Sequence, residues 1–102
     1  MYEFPLTGAQ RSHLRGLGQS LAPALTVGRA GLTPEFFAEL QHQLRRHELV
    51  KLRFLGVERD NRATLAGQIA ETGRCVWVGS VGHTALFYRQ HPEAAARRIA
   101  LP

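Results

Sequence analysis

The stretch that decides the fold is ALTVGRAGLTPEFF, Ala24 to Phe37. Ala24-Leu25-Thr26-Val27 is a short apolar and β-branched run that reads as a strand ending at Gly28. Thr33, Pro34 and Glu35 then supply a helix start: a capping hydroxyl, a proline at the first helical position and an acid in the first turn. Phe36, Phe37, Leu40 and Leu44 give that helix an apolar face, and Arg45 and Arg46 suit its negative C-terminal end near residue 46. Between strand and helix stands Gly28-Arg29-Ala30-Gly31. Glycine lacks Cβ, so the backbone there can take φ > 0 and come close to a ligand. The helix behind it turns its free amides and positive dipole end toward the same place.

Working outward, Thr7 and Gln10 form a T-x-x-Q capping box that opens a first helix from Thr7 to about Ser20. Leu14, Leu17 and Leu21 share one stripe of it, Arg11 and Arg15 another, and Pro23 forbids continuation. Downstream, Glu48 to Leu55 places Val50, Leu52 and Phe54 on one side and Lys51 and Arg53 on the other, a strand with one buried face. Asp60 or Asn61 can cap a third helix carrying Leu65, Ala66, Ile69 and Ala70 and closed by Gly73. Arg74 to Val81 and Thr84 to Arg89 read as two strands joined by a Gly82-His83 hairpin turn. From Pro92 onward a tail is expected, with Ile99 and Leu101 able to pack on the body.

The order is α-β-α-β-α-β-β. Strands joined through helices run parallel, and the hairpin adds an antiparallel partner. The expected architecture is a two-layer α/β sandwich with a mixed four-stranded sheet, its Lys51 and Arg53 face not covered by helices.

A chain of 102 residues fits one domain, with a core at about 6–89 and a tail at 90–102. No run approaches the ~20 apolar residues of a membrane span. The N-terminal MYEFPLTGAQ lacks the basic start and apolar core of a signal peptide. The single cysteine, Cys75, permits no internal disulfide; a core position and a cytoplasmic location are expected. Thirteen basic residues against eight acidic ones give a net charge of +5, and twelve of the thirteen are arginine. The guanidinium fork matches phosphate geometry and stacks on bases, which points to a nucleic-acid partner.

Catalytic signatures are missing. The sequence contains no G-x-x-x-x-G-K-[ST], G-x-G-x-x-G, H-E-x-x-H or G-x-S-x-G. Its five histidines, His13, His42, His47, His83 and His91, lack ligand spacing, and Glu35 and Glu39 read as solvated helix residues. No catalytic or metal-binding residue, cofactor or small-molecule substrate is therefore expected.

The run LTGAQRSHLRGLGQSLAPALTVGRAGLTPEFFAELQHQL, followed by HELVKLRF, AETG and GHTALFYR, resembles the CRM domain family (chloroplast RNA splicing and ribosome maturation), whose bacterial members are single-domain YhbY-like proteins. The likeness spans Leu6 to about Arg89. It implies a fold similar to the C-terminal domain of translation initiation factor 3. It also implies RNA binding without catalysis, with precursors of the large ribosomal subunit as the bacterial partner. Its loop falls on Gly28, Arg29, Ala30 and Gly31, and its basic first helix on Arg11 and Arg15. Many relatives carry Lys-Asn or Lys-Arg between the glycines, whereas Ala30 offers no polar side chain. Lys51 and Arg53 extend the basic surface or keep an open sheet face wet. Trp77, Phe87 and Tyr88 are candidates for base stacking or core packing. The alternative reading is a protein-interaction module on the ribosome whose charge only steers encounter.

Overall fold

The computed structural model describes residues 4–102. Helix α1 spans Gly8–Gly18, strand β1 Leu25–Val27, α2 Pro34–His47, β2 Leu49–Phe54, α3 Arg59–Gly73, β3 Val76–Val81 and β4 Thr84–Tyr88. A short 3-10 turn, Ala94–Ala96, lies in the tail.

Local chemistry explains most boundaries. The Thr7 hydroxyl accepts from the Gln10 amide at 3.1 Å, and the Gln10 side chain accepts from the Thr7 amide at 3.0 Å, completing the capping box. The Thr33 hydroxyl accepts from the Phe36 amide at 3.1 Å, with Pro34 opening α2. Several boundaries differ from the sequence expectation. β1, β2 and β4 are one residue shorter at one or both ends, and α2 runs one residue further. Three further differences bear on helix ends. α1 ends at Gly18 rather than Ser20. α3 starts with Glu58 as N-cap, making no side-chain capping bond, so Asp60 and Asn61 fall in its first turn. There an acid still favours the helix dipole. Arg74 is the left-handed C-cap of α3 rather than a strand residue, at φ 54° and ψ 59°.

The sheet has the order β1-β2-β4-β3, with β1 parallel to β2 and both other pairs antiparallel. It is the mixed four-stranded sheet expected. β2 and β3 point the same way, as their crossover through α3 requires, but β4 inserts between them. On one face Val50, Leu52, Phe54, Ala85 and Phe87 meet Phe36, Leu40 and Leu44 of α2 and Ala66 and Ile69 of α3. α1 packs on the opposite face, where Leu14 joins Leu49, Val78, Leu86 and Tyr88, with Phe4, Leu6, Ile99 and Leu101 around them. The face expected to be free of helices is thus half roofed. Leu17 and Leu21 of the predicted α1 stripe are 39% and 38% exposed and line a groove with Leu49 and Lys51 of β2.

Two long-range devices were not foreseen. In β3 a bulge sets Val78 and Gly79 together against Leu86. The Arg11 guanidinium donates to the Trp77 and Val78 carbonyl groups at that bulge, both at 3.1 Å. Between α2 and β2, the fully buried Glu48 takes φ 64°, unusual for a residue with a side chain. Its carboxylate accepts the amides of His91 and Arg98 at 2.7 Å each and of Ile99 at 3.0 Å. Glu48 therefore holds the C-terminal tail on the body, and Ile99 and Leu101 pack as the sequence suggested.

Candidate nucleic-acid interface

Gly28-Arg29-Ala30-Gly31 forms one tight turn, closed by the Gly31 amide donating to the Gly28 carbonyl at 3.0 Å. The two glycines have different reasons to be glycine. Gly31 sits at φ 71°, a left-handed conformation that disfavours a side chain. Gly28 has no such φ, and a Cβ built there meets nothing within 4 Å. Arg29 and Ala30 are exposed at the tip, and α2 begins three residues beyond Gly31.

The loop shares a rim with two others. The Leu55 amide donates to the Val27 carbonyl at 2.8 Å, and the Phe54 amide to the His83 carbonyl at 2.7 Å. The turn after β2 and the Gly82-His83 hairpin therefore flank it. Arg62 of α3 braces this rim, donating to the carbonyls of Val57 at 3.2 Å and Gly82 at 2.9 Å.

Strand register carries the surface onto the sheet. Thr26, Arg53 and Thr84 stand abreast in one row across β1, β2 and β4, and Val81 of β3 completes it. Arg53 is exposed and Val81 is 80% exposed, so this row lies beyond the roof that α1 makes. Lys51, one row back, is half-buried beside Leu86. Arg15 is exposed on the last turn of α1, with its side chain over Gly79.

Arg15 and Lys51 line one groove; Arg53 stands one row on, and Arg29 at the tip of the loop that follows β1. Arg11 stands apart. It is half-buried on β3, at the sheet edge opposite β1, and anchors the bulge. Phe87 and Tyr88 are fully buried and cannot stack on bases. Trp77 packs against the core, and its indole N–H donates to the Ser80 hydroxyl at 3.0 Å. Thr26 and Thr84 also stand beside Arg53, a neighbourhood that only strand register creates.

Among the described residues no group of three or more His, Cys, Asp or Glu side chains could hold a metal ion. No helix of the described residues is long and apolar enough to cross a membrane. Cys75 is buried, and desolvation, slightly offset by the charge of Arg89, pushes its thiol up to about 12. Such a thiol is a core residue rather than a nucleophile.

The half-roofed mixed sheet, with a G-x-x-G turn at its rim, defines a compact α/β domain of known family. The model of the CRS1/YhbY (CRM) domain matches residues 6–89, and the chain belongs to that family. It is 38% identical to a Pseudomonas aeruginosa protein named as a probable RNA-binding protein, over 86% of this chain and 85% of the relative. A Haemophilus influenzae RNA-binding protein is 32% identical over 95% of each chain. Among solved structures, the solution structure of a Staphylococcus aureus protein described as a candidate RNA binder has the same fold. It matches with a TM-score of 0.81 at 28% identity, covering 96% of this chain and 100% of that one.

Proposed function

We propose that the chain is a non-catalytic RNA-binding protein that grips RNA backbone at Gly28-Arg29-Ala30-Gly31 and lays it over Arg53, Lys51 and Arg15. Its ligand in this reading is ribosomal RNA of the large-subunit precursor, bound in the cytoplasm during ribosome assembly. The observation that carries the reading is Gly28. Neither backbone strain nor packing asks for a glycine there. A glycine there leaves the turn open to a close approach by a ligand, and Arg29 beside it supplies a charged donor suited to phosphate.

The names of the relatives support RNA as the partner. The basic row supports affinity through phosphate contacts and counterion release, with RNA shape supplying specificity. Arg11 serves the surface from beneath, by holding the bulge on which Arg15 rests.

Crosslinking in cells followed by sequencing of the bound RNA tests the partner. Recovery of precursor large-subunit RNA is expected. Recovery of messenger or transfer RNA alone would redirect the ligand, and recovery of no RNA would favour a protein-interaction role.

A further inference from the structure

A groove on the open half of the α1 face has the composition of a pocket for one nucleotide. It is lined by Arg15 and Gln19 at the end of α1 and by Lys51, Gly79, Thr84 and Leu86 on the sheet. Its volume is about 320 Å³, near the lower end of the roughly 300–1,000 Å³ typical of small-molecule sites.

Two glycines let α1 lie close to the sheet here, Gly18 against β4 and Gly79 on β3. Gly18 is buried directly against the Leu86 side chain, which sets the close approach of the helix. At Gly79 a Cβ would stand 3.2 Å from Arg15 Nε and 3.7 Å from its Cδ. The Arg15 side chain therefore lies over the strand, where a larger residue would displace it. The bulge fixed by Arg11 puts Gly79, rather than Val78, at this point.

We infer that this groove receives a single unpaired nucleotide of the bound RNA, an inference that rests on the RNA-binding reading above. Arg15, lying over Gly79 and exposed on its outer side, offers a planar guanidinium on which one face of a base can stack. Arg15 and Lys51 supply positive charge for the flanking phosphates. The Gln19 amide offers both a donor and an acceptor to a base edge. The Thr84 hydroxyl spends its proton on the Val81 carbonyl at 2.9 Å and so presents lone pairs. A base inside a duplex has both faces stacked and its pairing edge occupied, so only an unpaired one enters. Thr84 belongs both to the groove and to the Thr26-Arg53-Thr84 row, so the groove adjoins the row that runs from β1 toward it.

The test uses two hairpin RNAs with the same stem, one fully paired and one carrying a single bulged adenosine, titrated against the full chain by fluorescence anisotropy. The bulged RNA is expected to bind about tenfold tighter, the scale of one stacked base. Gly79→Val pushes Arg15 off the strand and is expected to erase that preference while the paired stem still binds. Gln19→Ala, at an exposed position with little risk to folding, should reduce the preference severalfold. Gly28→Asp should weaken both RNAs alike. Equal affinity of the wild-type protein for both RNAs, still lowered by Gly28→Asp, overturns the groove and leaves the loop reading standing. Failure to bind either RNA overturns the loop reading and the groove with it.

Discussion

The amide of Gly31 donates to the carbonyl of Gly28 across 3.0 Å, closing a turn in which only the second glycine is required by the backbone. Gly31→Ala places a side chain at φ 71° and should cost about 1–2 kcal/mol. Gly28→Ala has open space and should be neutral or stabilising by up to about 1 kcal/mol, since it restricts the unfolded chain. Thermal denaturation of both variants distinguishes them by several degrees. Equal destabilisation would mean that Gly28 is a structural residue.

On the proposed reading, Arg15, Arg29, Lys51 and Arg53 each meet a phosphate, about four contacts in all. The logarithm of the RNA binding constant should then fall with the logarithm of salt concentration at a slope near −3. Arg53→Ala should reduce the slope by nearly one unit and leave stability unchanged, because the side chain is exposed. A slope near zero would remove phosphate contact as the source of affinity.

Glu48 is a sensitive position away from the proposed interface. Glu48→Ala withdraws the acceptor from three amides, those of His91, Arg98 and Ile99, and opens a cavity at a fully buried site. A loss of about 3 kcal/mol or more is expected in urea denaturation. Amide exchange should rise first over residues 91–99, and unchanged protection there would show that the tail is held by other contacts.

Cys75 should be inert to thiol reagents in the folded protein at pH 8, reacting only at the rate of unfolding, because its thiol is raised to about 12. The sign of the pH effect follows. The folded state holds the thiol proton more tightly than the unfolded state, so this stabilisation is complete below the ordinary value of 9.0 and is lost as pH rises toward 12. Cys75→Ser should flatten this alkaline decline; an unchanged curve would place its origin elsewhere.

Much of this molecule is legible in its sequence, because the deciding signals are local. Thr7 with Gln10 and Thr33 with Pro34 announce helix starts through side chains only three residues from the amides they cap. The alternation from Val50 to Phe54 likewise reports which side of β2 is buried. What escapes is long-range. Arg11 looks like any solvated helix arginine until β3, 66 residues away, presents it with two carbonyls. Glu48 reads as a strand residue, since its amide partners lie 43 to 51 residues downstream. Phe87 and Tyr88 are indistinguishable in sequence from surface aromatics, and only the insertion of β4 between β2 and β3 buries both. Of the interface, the loop was visible as a motif, whereas the row of Thr26, Arg53 and Thr84 depends on strand register.

The central claim is that the loop exists to hold RNA, and the affinity of Gly28→Asp for large-subunit ribosomal RNA tests it most directly. Measured beside the wild-type protein at one fixed salt concentration, the variant should bind about tenfold more weakly or worse, because the new carboxylate repels the phosphate that the turn would grip. Its melting temperature should be unchanged, since the added side chain meets open space. A folded Gly28→Asp protein that binds this RNA as tightly as the wild type would contradict the account.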